Sequence, residues 1–162
     1  MNRVLVAGIG NVFLGDDGFG VEVVRRLDPA DLPPGVDVVD YGIRGVHLAY
    51  ELLDDRYETV VLVDALPMGE PPGTLAVLEA DPDGSGGMVV EAHSMTPHVV
   101  LSALRALGGR PPRVLVVGCQ PAVLDEGMQL SAPVAGAVDE AVRLVTRVAG
   151  EAHAVVRQGE RV

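Results

Sequence analysis

Apolar residues in this chain alternate between short unbroken runs and helically spaced stripes. Residues 3–10 open with a β-branched stretch that ends in glycines and has no polar alternation, which predicts a strand covered on both faces. Phe19, Val23, Val24 and Leu27 then recur at helical spacing over residues 18–27, and Pro29, Pro33 and Pro34 stop that helix. Residues 36–41 predict a second strand ending in Gly42, and Val46, Leu48, Ala49, Leu52 and Leu53 predict a second helix. Residues 58–63 form the most strand-like run, with Asp64 just beyond its end. Strand, helix, strand, helix, strand is the pattern of βαβ units. The expected fold is a single α/β domain, a mostly parallel twisted sheet between two helical layers.

The second half is less regular. Residues 67–72 are turn-rich, and residues 74–79 predict a further strand, an antiparallel one at the sheet edge. Residues 81–87 (Asp-Pro-Asp-Gly-Ser-Gly-Gly) read as flexible by composition, yet are too short to link domains. Pro97 suits a first helical turn and Thr96 a cap for an apolar helix over residues 99–107, which Gly108 and Gly109 end. Residues 113–117 predict another strand. A long helix follows over residues 134–148, with its stripe at Val134, Val138, Val142, Val145 and Val148. The domain is expected to span residues 1–150, with residues 151–162 a flexible C-terminal tail.

Composition narrows the class. The 162 residues are 48% hydrophobic and 22% charged, as in a folded globular chain. Twelve basic residues, all arginine, oppose 23 acidic ones for a net charge of −11. That balance repels nucleic acid and anionic membrane, so neither is expected as a partner. Aromatics are 3% with no Trp, which leaves no stacking platform for bases. One Cys excludes an internal disulfide framework. No run approaches the roughly 18 apolar residues of a spanning helix, and the expected location is the cytoplasm.

In an open α/β sheet, functional groups collect beyond the C-terminal ends of the strands. Three polar clusters fall there: residues 11–17, Asp64 and His93. Gly8-Ile9-Gly10 raises nucleotide binding, but Phe13 replaces the third glycine of the dinucleotide fingerprint, and Asp16 and Asp17 would repel a pyrophosphate. Two carboxylates with an imidazole instead match a metal such as nickel, zinc, iron or manganese, with positions left for substrate. Each residue also has a plainer explanation: Asp17 a helix N-terminal acid, Asp64 a strand-end turn former, His93 a solvated loop histidine. The chain has neither Gly-x-Ser-x-Gly nor His-Glu-x-x-His, nor the Asp-Thr/Ser-Gly turn of a pepsin-like dyad. Cys119 reads as a buried, inert thiol.

The stretch Gly8-Ile9-Gly10-Asn11-Val12-Phe13-Leu14-Gly15-Asp16-Asp17-Gly18-Phe19-Gly20-Val21 resembles the N-terminal signature of the hydrogenase maturation proteases. The likeness continues through residues 42–45, 61–65, His93, 101–107 and 114–118 with Pro121, so it covers residues 3 to about 148. The resemblance implies an endopeptidase that trims the C-terminal extension of a [NiFe] hydrogenase large-subunit precursor. It implies metal contacts at Asp17, Asp64 and His93, the last preferred over His98 by its ungapped spacing to the following leucines. The metal is then nickel carried by the substrate and used for recognition, with no built-in cofactor. Either Asp17 or Asp64 serves as the general base on water, or the metal polarises the scissile carbonyl. The loop Gly42-Ile43-Arg44-Gly45 is implied to contact substrate, with Arg44 holding a carboxylate or carbonyl, and Asn11 and Asp16 are counted with Gly42 as substrate-side residues. The default oligomeric state is a monomer. Two alternatives stay open: a non-proteolytic metal-binding or chaperone module on the same residues, and a nucleotide-binding regulator built on Gly8 and Gly10.

Overall fold

The computed structural model describes residues 3–43, 45–80 and 97–159. Among the described residues five strands form one sheet: β1 (Val4–Ile9), β2 (Val36–Gly42), β3 (Thr59–Ala65), β4 (Leu75–Glu79) and β5 (Arg113–Cys119). Their spatial order is β2-β1-β3-β5-β4, with every pair parallel except β4 on β5. The α-helices of the described residues are α1 (Phe19–Arg26), α2 (Gly45–Leu52), α3 (Pro97–Ala106) and α4 (Ala132–Gly159).

The continuous apolar runs have the cause the sequence suggests. All six residues of β1 and all seven of β3 are buried, because helices cover both faces. Side chains alternate between the two layers. Val4, Val6, Val61, Val63 and Val117 pack with Phe19 and Val23 of α1 and with Val134, Val138 and Val145 of α4. Leu5, Ala7, Ile9, Leu62 and Val116 face the other way, toward Leu48 and Leu52 of α2 and Leu101 and Leu104 of α3. The expected antiparallel edge strand is β4, whose outer residues include the exposed Glu79. A charged, short strand there protects the edge against pairing with another chain.

The register sets the site. Val4 pairs with both Val36 and Thr59, and Thr59 pairs with Arg113. Strands β1, β3 and β5 therefore run nearly flush, and their C-terminal ends open on a single rim. Two boundaries differ from expectation. Asp64 lies within β3, opposite Gly118 of β5, rather than beyond the strand. The last helix does not stop at Gly150: α4 runs to Gly159, and Ala152 is 2% exposed against the core. A mid-helix glycine costs only about 1 kcal/mol, comparable to the burial of the Ala152 methyl group against the core. The glycine-rich segment 81–87, Thr96, His93 and Arg44 lie outside the described residues. Among the described residues no helix is long and apolar enough to cross a membrane.

Candidate active site at the sheet rim

The loop after β1 is built to present Asp17. Gly10 has φ +143°, and a Cβ there would lie 1.8 Å from the Asp17 carbonyl oxygen, so only glycine lets the chain fold back so tightly. The Asn11 Oδ1 accepts a hydrogen bond from the Phe13 amide at 2.9 Å, closing an Asx turn. The Asn11 amide donates to Asp17 Oδ2 at 2.8 Å. A single turn of 3₁₀-helix over Gly15–Gly18 then leads into α1. Asp17 is half-buried, and burial pushes its carboxyl above the ordinary value of 3.8 against the pull of the Asn11 amide.

Asp64 comes from the neighbouring strand and is 3% exposed. Among the described residues neither carboxylate oxygen has a partner at hydrogen-bond geometry. Its carboxyl is pushed well above 3.8, first by burial and then by the negative charge of Asp17, against a weaker pull from the Ala65 amide. The two acids thus lie within electrostatic reach at the rim. A buried carboxyl with no partner is costly to keep, and such groups cluster at functional sites.

Asp16 has a different job from the substrate contact the resemblance suggests. It is 0% exposed. Its carboxylate accepts from the amides of Ala122, Val123 and Ser131 and from the Ser131 hydroxyl, at 2.7–2.8 Å. Burial alone would raise its pKa, but these four donors outweigh it and hold the carboxyl below 3.8. Asp16 is therefore an internal clasp between the loop after β1 and the loop after β5. Successive residues of a 3₁₀ turn project about 120° apart, so the two adjacent acids point into different surroundings. Nothing local in the sequence distinguishes them, since the partners of Asp16 are 106 to 115 positions away.

The loop after β2 closes on the same rim. Gly42 has φ +54°, its carbonyl accepts from the Gly10 amide at 2.8 Å, and its own amide donates to Asp40 Oδ1 at 2.9 Å. Between these loops lies a cleft of about 460 Å³, lined by Val12, Phe13, Val21, Tyr41 and Ile43 with the Arg25–Asp40 ion pair at 3.5 Å. Phe13 and Ile43 are 61% and 64% exposed. This apolar cleft escapes sequence reasoning because its walls come from two loops about 30 residues apart.

Of the three metal-contacting positions, the structure brings Asp17 and Asp64 together, while His93 lies outside the described residues, as does the side chain of His98. Among the described residues no group of three His, Cys, Asp or Glu is arranged to hold an ion. The nucleotide alternative fares badly. The space beside Gly8 is filled by Val24, 2.5 Å from where a Cβ would sit, and that beside Gly10 by the Asp17 backbone, so both glycines serve packing. Cys119 is fully buried, and burial with the nearby Asp16 charge pushes its thiol up to about 11, which leaves it no nucleophile at neutral pH.

Fold and site together define an α/β domain with a carboxylate pair at the rim of its sheet. Comparison with known proteins makes this specific. Residues 21–148 match the family model described as hydrogenase maturation protease. A hydrogenase expression/formation protein, HupD, of Rhizobium leguminosarum bv. viciae is 35% identical over 150 residues, covering 90% of this chain and 73% of that protein. Among solved structures, the hydrogenase maturating endopeptidase HybD from E. coli superposes with a TM-score of 0.69 at 28% identity, covering 88% of this chain and 89% of that one. The [NiFe] hydrogenase maturation protease HycI from Thermococcus kodakarensis KOD1 gives 0.73 at 26% identity, covering 91% and 92%. The chain belongs to the hydrogenase maturation protease family, and it is a hydrolase.

Proposed function

We propose that this protein removes the C-terminal extension of a nickel-loaded [NiFe] hydrogenase large-subunit precursor, with Asp17 and Asp64 meeting the reacting end of that substrate. The observation that carries the reading is Asp64, buried beside Asp17 with neither oxygen at hydrogen-bond geometry to any described residue. Those oxygens, together with the Asp17 oxygen that Asn11 does not hold, form an incomplete oxygen donor set. Joined by His93, they suit a divalent ion brought in by the substrate, whose own ligands fill the remaining positions. The nickel supplies an anchoring point and distinguishes a loaded precursor from an empty one.

The residues then divide the work. Asp64, held dry in β3, binds the substrate's ion. Asp17, half-buried and oriented by the Asn11 amide, is the general base, because its raised pKa brings it nearer neutrality and it is open to water. It takes a proton from the attacking water as the new C–O bond forms at the scissile carbonyl. It returns that proton to the leaving nitrogen as the C–N bond breaks. The cleft beside Phe13 and Ile43 takes the chain leading to the cut, and Gly42 and Asn11 line it; Arg44, which follows Ile43 in sequence, is proposed to hold a carboxylate or carbonyl of that chain.

Purified protein incubated with nickel-loaded and with nickel-free precursor tests this by mass spectrometry. Loss of the C-terminal segment from the loaded form only is expected. Binding of the loaded form without cleavage contradicts the protease and indicates a metal-dependent chaperone.

A further inference from the structure

We propose that the loop of residues 120–131 is a preformed docking ridge for the folded body of the precursor, separate from the cleft that takes its tail; this rests on the functional reading above. Among the described residues, eight large hydrophobic side chains are exposed, and five lie at the C-terminal rim: Phe13, Ile43, Val123, Leu124 and Met128. Three of those five belong to this one loop, and Met128 is the most exposed of all at 73%. Apolar surface concentrated at one place, rather than scattered, marks an interaction site, and Met and aromatic side chains are enriched in such interfaces.

The ridge is held rather than merely exposed. Asp16 fastens it at Ala122, Val123 and Ser131. In between, the Gly15 amide donates to the Gly127 carbonyl at 2.8 Å, and the Gly127 amide donates to the Phe13 carbonyl at 2.9 Å. The backbone is thus fixed at both ends and the middle, which lowers the ordering cost of association. A loop needed only to connect β5 with α4 has no reason to carry a fully buried, charged clasp and to present its largest apolar side chains to water.

Position identifies the occupant. The loop is hydrogen-bonded through Gly127 to Phe13, which lines the cleft, so a polypeptide whose tail lies in that cleft has its body beside this loop. Exposed Asp125 and Glu126 sit between Leu124 and Met128. The complementary surface is an apolar patch bordered by basic residues on the precursor body.

Steady-state processing of nickel-loaded precursor by a Leu124→Asp/Met128→Asp variant tests the ridge. KM is expected to rise about tenfold with kcat within about twofold, because contacts made equally in ground and transition states affect binding alone. A Leu124→Ser/Met128→Ser variant, which adds no charge, is expected to raise KM in the same direction by less. Unchanged KM in both variants overturns the proposal, as does a fall in kcat at constant KM. A wild-type chain that self-associates and becomes monomeric in these variants, with KM unaltered, also overturns it, since the ridge then serves a second copy. Should wild-type protein bind the precursor without cutting it, the functional reading fails alone. The ridge is then judged by Kd, expected to rise about tenfold in the Asp variant, and an unchanged Kd rejects it.

Discussion

Asp16 and Asp17 are neighbours with the same side chain, and their surroundings move them in opposite directions. Four donors hold Asp16 ionised inside the fold, whereas burial outweighs the amides near Asp17 and Asp64 and pushes both toward the neutral form. Asp16→Ala strands three amides and a hydroxyl. It is expected to lower unfolding free energy by about 3 kcal/mol and to erase amide-exchange protection at Ala122, Val123 and Ser131. Asp64 acts on stability with the opposite sign. A group whose folded pKa exceeds its unfolded value binds more protons in the folded state, so stability falls as pH rises from 3.8 through the elevated value. The depressed Asp16 adds stability above 3.8 and loses it as pH falls through its folded pKa. Denaturant midpoints measured from pH 4 to 8 are therefore expected to decline in the wild type and to decline less in Asp64→Asn. Parallel curves would remove the buried Asp64 from the account. None of this is legible from the pair of letters Asp-Asp, because burial and partners are properties of distant chain segments.

At the level of elements, the alternation of apolar runs and helical stripes is enough to read the strands and α-helices of the described residues, including β4 as the antiparallel edge. Unbroken valine-rich runs have few other uses than a sheet covered on both faces. What escapes is local: the 3₁₀ turn before α1, the extra turns of α4 beyond Gly150, and Asp64 inside rather than after β3. Each depends on tertiary packing that outweighs a weak local preference. Glycines give the sharpest test of that packing. A Cβ on Gly20 would lie 2.0 Å from the Val63 carbonyl oxygen and 2.5 Å from that of Ile9, so α1 rests directly on the ends of β1 and β3. Gly20→Ala is expected to destabilise by about 3 kcal/mol or more and to reduce processing, since it lifts the helix that follows Asp17. Gly136, exposed in α4 with open space around it, is the control. Gly136→Ala is expected to add about 0.5–1 kcal/mol with activity unchanged. Thermal unfolding of both variants checks the pair.

For the whole molecule, the flush register of parallel strands does the positioning. It delivers Asp17, Asp64, the cleft beside Gly42 and the ridge after β5 to one rim, while α1 and α4 close one face and α2 and α3 the other. That the acids belong together was readable from the glycine–asparagine–diacid stretch and the strand-end aspartate, because parallel sheets gather such groups at their C-terminal edge. The cleft and the ridge were not, since their walls meet only when loops far apart in sequence are folded onto one another. The claim on which function depends is that both acids act on the substrate. Single-turnover cleavage of nickel-loaded precursor by wild type, Asp17→Asn and Asp64→Asn tests it most directly, with folding of each variant confirmed by circular dichroism. Each variant is expected to fold and to lose at least about 100-fold in cleavage rate; a folded variant of either residue that cuts at the wild-type rate removes that acid from the chemistry.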